Sequence, residues 1–217
     1  MDTDKCIACG ICAQRCPINV PDAFNLGISK RKAVYIKYDQ TIPLKYAIDP
    51  LACIYFTLGR CKICEKFCPT GAINFGQKEE FITLDVGAVI LAPGFKPFDP
   101  SKHDFLGYRI KDVVTSLEFE RLLSISGPNK GRLLRPSDQT QPQKIAWLQC
   151  VGSRNQNNCG NSYCSNICCM SAVKQSVMTL ENALDQKQEQ TIFFTDLRSQ
   201  GKESERYFMR AKEMNIN

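Results

Sequence analysis

The feature that most limits how this chain can fold is a pair of cysteine runs. Cys6, Cys9, Cys12 and Cys16, followed by Pro17, are spaced C-x2-C-x2-C-x3-C-P. Cys53, Cys61, Cys64 and Cys68, followed by Pro69, repeat that spacing with the first gap widened to seven residues. Three thiolates about a turn apart wrap one corner of a cubane iron–sulfur cluster, while the fourth points away toward a second one. Gly10 and the small or apolar Ile7, Ala8 and Ile11 let backbone N–H groups approach the sulfurs and keep water out, which is how a protein tunes such a centre.

In two-cluster ferredoxins the fourth cysteine of each run serves the other cluster. By that logic Cys6, Cys9, Cys12 and Cys68 hold one [4Fe–4S] cluster, and Cys53, Cys61, Cys64 and Cys16 hold a second. A zinc site from Cys6, Cys9, Cys61 and Cys64 is the competing reading. It leaves four further cysteines and two Cys-Pro endings without a role, so iron–sulfur is preferred.

Composition sets the context for these runs. Thirteen cysteines in 217 residues are too many for chance, and the chain opens MDTDKC without an apolar signal-peptide core. No apolar run reaches the roughly 18 residues that span a bilayer, the most suggestive being VGAVILA at 86–92. A reducing, cytoplasmic setting is the expectation, and clustered cysteines there hold metal rather than disulfides. With a single histidine, His103 in the polar stretch PSKHDF, any metal site must be built mainly from thiolates; His103 reads as a surface side chain. The net charge of +6 is spread along the chain, KRK at 30–32 being the densest run. An oxidised Cys-ligated [4Fe–4S] centre carries about −2, so three of them offset the excess, and nucleic acid is set aside as a partner.

Beyond the runs, EFITLD (80–85) alternates apolar and polar positions and VGAVILA (86–92) is continuously apolar; both are predicted strands, the second ending at Gly94. TSLEFERLLSISGP (115–128) is an amphipathic helix with Thr115 and Glu118 as a capping box. GPNKGRLLRPSDQTQPQ (127–143) is rich in turn formers and marks an internal boundary. Then follow a strand at 144–150, a helix at 168–184 with Val173, Val177, Leu180 and Leu184 on one stripe, a strand at 191–196 and a helix at 203–214. Such alternation argues for a parallel, Rossmann-type sheet. The turn after the first of these strands holds only Gly152 and Gly160, with no G-x-G-x-x-G phosphate cradle.

That turn instead carries Cys150, Cys159, Cys164, Cys168 and Cys169. Cys164 and Cys168 are four apart, one face of a helical turn. Cys168 and Cys169 open a helix, whose unpaired N–H groups and dipole favour thiolates and an anionic cluster. Cys150 ends a strand and can face that helix. Cys159 lies in the polar loop NQNNCGNS, the least shielded position. The expected ligands of a third cluster are therefore Cys150, Cys164, Cys168 and Cys169, with zinc on the same four as the alternative.

The two runs together with GISKRKAVYI, PLKYAIDP, TSLEFERLLS, RPSD and QCVGSR…YCSNICCM resemble the A subunit of heterodisulfide reductase over essentially the whole chain. The resemblance implies an iron–sulfur flavoprotein, with a ferredoxin module inserted in a thioredoxin-reductase-like core. Such a subunit passes electrons between FAD and iron–sulfur chains within a complex. The resemblance also supports the third ligand set. It makes Ala92, Pro93 and Gly94 the end of an FAD-domain strand, with Pro93 where that motif has threonine. The family's dinucleotide fingerprint lies upstream of the ferredoxin module, whereas here the first ligand comes at Cys6, so a fragment or a split form is expected. The expected layout is a two-cluster ferredoxin-like domain at 1–79, a partial FAD-domain segment at 80–143 and an incomplete Rossmann-like domain at 144–217: α+β followed by α/β. The function implied is that of an electron-transfer oxidoreductase subunit without catalytic acid, base or nucleophile. A flavin-free polyferredoxin-like carrier and a zinc-stabilised interaction protein are the alternatives.

Overall fold

The computed structural model describes residues 1–154, 160–182 and 188–217. The chain divides into two compact units, Met1–Pro93 and Gly94–Asn217, each with a core of its own.

The first unit is assembled from very short elements. Helices α1 (Ile11–Arg15), α2 (Ile54–Leu58) and α3 (Ile63–Lys66) have five residues or fewer. Strands β1 (Asn19–Pro21) and β2 (Lys30–Lys32) pair antiparallel, as do β3 (Val34–Tyr35) and β4 (Ala47–Ile48). Two- and three-residue strands carry too little alternation to be read from a sequence as basic as KRK, and the sequence does not announce them. The β1–β2 connection is tied by Asp22, whose carboxylate accepts from the buried Asn25 side chain at 2.9 Å. The core consists of Cys12, Cys16, Ala33, Val34, Cys64, Ile73 and Phe75. Three of these seven are cysteines, and Met1, Ile18, Tyr46, Ile48, Ala52 and Tyr55 pack around them half-buried. Metal–sulfur bonding is the natural supplement, because in small metal-binding units binding energy is folding energy.

The expected strands at 80–85 and 86–92 do not form: both segments lack regular structure and are exposed, Phe81 at 87% and Ile90 at 94%. β-propensity makes a strand only where a ladder satisfies its backbone groups, and among the described residues none pairs with this stretch. Gly94, at φ 74, has nothing within 4 Å of the position a Cβ would take.

The second unit opens with two 3-10 turns, Pro100–Lys102 and Asp104–Leu106. His103 between them is half-buried, its ring stacked on Phe98 with centroids 5.5 Å apart, rather than a free surface side chain. Helix α4 (Ser116–Leu123) starts at the expected capping box: the Thr115 hydroxyl accepts from Glu118 N–H, and the Glu118 carboxylate accepts from Thr115 N–H at 2.6 Å. It buries Phe119, Leu122 and Leu123. It stops five residues short of Pro128 because the chain folds back at once, Gly127 N–H and Gly131 N–H both donating to Ser124 C=O. A Cβ on Gly127 would lie 1.8 Å from Arg121 C=O, so the tight return requires glycine. The stretch 127–143 has neither helix nor regular strand.

Strand β5 (Lys144–Leu148) pairs in parallel with β6 (Glu189–Phe193), Lys144 opposite Glu189 and Leu148 opposite Phe193. Helix α5 (Cys168–Glu181) lies between them in sequence, and α6 (Ser204–Glu213) follows. Beside β6, Asn217 N–H donates to Gln190 C=O at 3.0 Å and Asn217 C=O accepts from Ile192 N–H at 2.7 Å, the pattern of a second parallel bridge. The core joins Phe119, Leu123, Trp147, Ala172, Val173, Val177, Ile192, Ala211 and Ile216. The buried Gln175 is fully occupied: it accepts from Trp147 Nε1–H at 3.3 Å and donates to Ser116. On the expected α5 stripe Val173 and Val177 are buried and Leu180 half-buried, while Leu184 lies outside the described residues. Small mixed α/β elements are thus present, with one parallel β-α-β unit.

Candidate metal centres

Two cavities in the first unit are walled by cysteines. The first is lined by Cys6, Cys9, Cys12 and Cys68 together with Met1, Tyr46, Thr70 and Ile73, and holds about 300 Å³ counting its open mouth. The second is lined by Cys16, Cys53, Cys61 and Cys64 together with Ile18, Val34, Ile63 and Phe75, and holds about 330 Å³. Each cavity therefore takes three cysteines from one run and one from the other.

Local backbone explains how. Ala8 and Gly10 adopt left-handed conformations, φ 56 and φ 81, so Cys6, Cys9 and Cys12 turn round one space. Helix α1 then carries the chain onward, leaving Cys16 at its end beside the second cavity. Cys61, at φ 71, makes the matching turn in the second run, and α3 carries Cys68 back to the first.

The lining residues include no histidine and no carboxylate. Four thiols and an apolar wall are the donor set of an iron–sulfur cluster, and the residues present fit that group. Among the described residues no group of three or more His, Cys, Asp or Glu is drawn together closely enough to hold a single metal ion.

The thiols are not equivalent. Burial pushes Cys12 up to about 11, with the charges of Cys6 and Cys9 adding to it. Burial pushes Cys64 up to about 11 as well, helped by Cys53. Without metal these two stay protonated at neutral pH, so loading must release their protons. Burial also raises Cys68, but Ala72 N–H, 3.2 Å from its sulfur, and the Thr70 hydroxyl outweigh it and hold that thiol below its ordinary value.

Two neighbours of the first cavity could not be read from the cysteine runs. Lys45 Nζ donates to Cys6 C=O at 2.5 Å, and Tyr46 lines the wall. Burial, then the charges of Cys12, Cys9 and Cys6, raise the Tyr46 hydroxyl. They arrive through the β3–β4 pairing, over thirty residues from Cys12, and only the PLKYAIDP stretch hints at them.

In the second unit Cys150, at φ 59, follows β5, and Cys168 and Cys169 open α5. Burial pushes Cys169 up, and the charges of Cys168 and Cys150 do so further. Asp196, just past β6, accepts weakly through its backbone C=O from Cys169 Sγ at 4.0 Å, and its carboxylate is ion-paired with Arg154 and Arg198. The group sits at the carboxyl ends of the parallel strands, where open parallel sheets bind ligands. Cys164 is half-buried on the preceding loop, with Asn166 N–H 3.4 Å from its sulfur. Cys159 lies outside the described residues. Ala92, Pro93 and Gly94, expected at an FAD site, are exposed.

Residues 1–22 match the 4Fe-4S binding domain, which covers the whole first run. The iron-sulfur A subunit of CoB–CoM heterodisulfide reductase from Methanocaldococcus jannaschii is 44% identical over 214 residues. The match covers 98% of this chain and 31% of that protein. The A subunit of the H2/formate:CoB-CoM heterodisulfide,ferredoxin reductase of Methanococcus maripaludis is 41% identical, over 98% of this chain and 31% of its own length. An iron-sulfur A subunit of CoB–CoM heterodisulfide reductase from Methanopyrus kandleri is 41% identical, with 98% and 32% covered. The chain spans about a third of the length of these relatives. Over that third, it is homologous to the iron–sulfur A subunit of heterodisulfide reductases.

Proposed function

We propose that the chain is the iron–sulfur electron-transfer portion of an oxidoreductase subunit of the heterodisulfide reductase type, working within a complex. The observation that carries this reading is the crossed division of eight cysteines between two cavities. In the proposal, Cys6, Cys9, Cys12 and Cys68 ligate one [4Fe–4S] cluster, Cys16, Cys53, Cys61 and Cys64 a second, and Cys150, Cys164, Cys168 and Cys169 a third. Bound clusters supply one-electron redox chemistry, so the protein needs no acid, base or nucleophile. Its residues exclude water and set the potential through N–H groups aimed at sulfur, as Ala72 is at Cys68.

FAD belongs to this reading as a cofactor of the larger protein, with Ala92, Pro93 and Gly94 contributing one edge of its site. The domain division at 79/80 and 143/144 and a reducing, cytoplasmic setting complete the proposal. Partners are the other subunits of such a complex and redox proteins; no helix among the described residues is long and apolar enough to cross a membrane.

Anaerobic purification followed by iron, zinc and flavin assays tests it. About twelve irons per chain and broad brown absorbance are expected. Cys16→Ser should abolish the EPR signal of one centre of the pair while Cys159→Ser keeps the iron content. A colourless zinc protein, or unchanged signals from both centres in Cys16→Ser, would overturn it.

A further inference from the structure

The two cavities share out their thiols alike, yet the rest of their walls differs. Apart from its four cysteines, the second is lined by proline, alanine, valine, isoleucine and phenylalanine side chains alone. The first adds the hydroxyls of Tyr46 and Thr70. The register of β3 with β4, Tyr35 opposite Ala47, brings the two residues before β4 to this cavity. A Cβ on Gly10, between Cys9 and Cys12 in sequence, would lie 3.0 Å from the Tyr46 hydroxyl. That hydroxyl donates to no protein atom among the described residues. Lys45 is half-buried, and its ammonium donates to Cys6 C=O at 2.5 Å. The ion pairs of this unit fall on Asp2–Lys5, Arg31–Asp49 and Lys62–Glu65, so Lys45 has no carboxylate partner among the described residues. On the same cavity Ala72 N–H points at the Cys68 sulfur from 3.2 Å, and the Thr70 hydroxyl stands 3.7 Å from it.

The second cavity also has cations near it. Lys62 stands 5.6 Å from the Phe75 ring, and Arg15 and Arg60 precede Cys16 and Cys61. Lys62 is paired with Glu65 at 3.7 Å, and all three side chains are exposed, where water and salt screen them. The Ile18 carbonyl oxygen stands 4.0 Å from the Cys16 sulfur, a dipole that opposes added negative charge. Cys9 is exposed, whereas no cysteine of the second cavity is. Reduction adds a negative charge, so donors aimed at sulfur, a nearby unscreened cation and access to water all raise a potential. Each of these differences favours the first site.

We propose that Lys45 and Tyr46, together with Thr70 and Ala72, make the first site the more easily reduced of the two. Lys45 and Tyr46 set its potential without ligating metal. The proposal rests on the two-cluster reading above.

The test is an EPR-monitored redox titration of the iron-loaded 217-residue chain, the signal abolished by Cys16→Ser being assigned to the second centre. Iron content and far-UV circular dichroism are recorded for every variant. At a given solution potential, the reduced-to-oxidised ratio of the first centre should exceed that of the second at least about tenfold. Tyr46→Phe removes only the O–H and should lower the first centre's ratio about fivefold. Lys45→Gln keeps an N–H donor for Cys6 C=O without the charge and should lower it by a similar factor, while Lys45→Arg should restore it. The second centre should stay within about twofold in these variants, and Lys62→Gln should move neither centre by more than that. Equal potentials in the wild type, or a higher one at the second centre, would overturn the proposal. So would a shift of both centres together, no shift in Tyr46→Phe and Lys45→Gln, or a Lys45→Arg that behaves like Lys45→Gln. Loss of iron from Tyr46→Phe would assign the hydroxyl to assembly and overturn its place here. A chain that takes up no iron, or a Cys16→Ser that keeps both signals, overturns the two-cluster reading itself and this proposal with it.

Discussion

Gly10 carries two demands at once. Its φ of 81 is left-handed, and a Cβ there would come 3.0 Å from the Tyr46 hydroxyl. Left-handed backbone costs an L-residue roughly 1–2 kcal/mol, and the contact presses on the wall of the first cavity. Gly10→Ala is expected to lower stability by at least about 1 kcal/mol, read from the bleaching of visible absorbance in a urea titration. Adding Tyr46→Phe should restore only the contact part of that loss. A wild-type midpoint for Gly10→Ala would show that Tyr46 does not stand where the structure puts it. At this scale the sequence was legible where chemistry is local: all eight cysteines of the runs fall on cavity walls. Tyr46 and Lys45 were not legible, because their place depends on strand pairing rather than on spacing from a ligand.

Among the elements, α4 was announced by its cap. Thr115→Ala removes the acceptor for Glu118 N–H and should cost about 1 kcal/mol, seen as a lower thermal midpoint. Replacing Ser116, just inside the helix, by Thr should not rescue it. The short antiparallel pairs give a pH prediction. The Arg31 guanidinium, 2.7 Å from the Asp49 carboxylate, holds that carboxyl below its usual range. A depressed carboxylate stabilises the fold above its unfolded pKa of about 3.9 and loses that contribution as pH falls through the lower folded value. The stability gap between wild type and Arg31→Ala should therefore be constant near neutrality and close below about pH 4; a gap that persists at pH 2 contradicts the pairing. Element type was readable for α4, α5, α6, β5 and β6, whose faces repeat over several turns or residues. EFITLD and VGAVILA have the composition of strands, yet composition cannot supply the neighbour a strand must pair with.

For the molecule as a whole, that unpaired stretch sets an expectation for flavin. The isolated chain should retain FAD far below one per chain, and backbone amides from Phe81 to Leu91 should exchange with solvent without protection. Co-expression with the additional polypeptide that the longer relatives contain should bring protection and flavin together. Stoichiometric FAD on this chain alone would contradict the proposed incomplete site. The compact units divide at Pro93 and Gly94, and the turn-rich stretch 127–143 lies within the second of them.

The crossed cavities have a consequence for cells short of iron. Neither cysteine run can complete a cavity by itself, so filling one draws the other run into position and organises the second space. Half-loaded molecules should then be scarce. When iron and sulfide are supplied at half the amount needed, native mass spectrometry should find the first unit carrying two clusters or none, rather than a uniform population carrying one. Scarcity would be met by fewer competent molecules, each complete, and the current each one passes would not depend on supply.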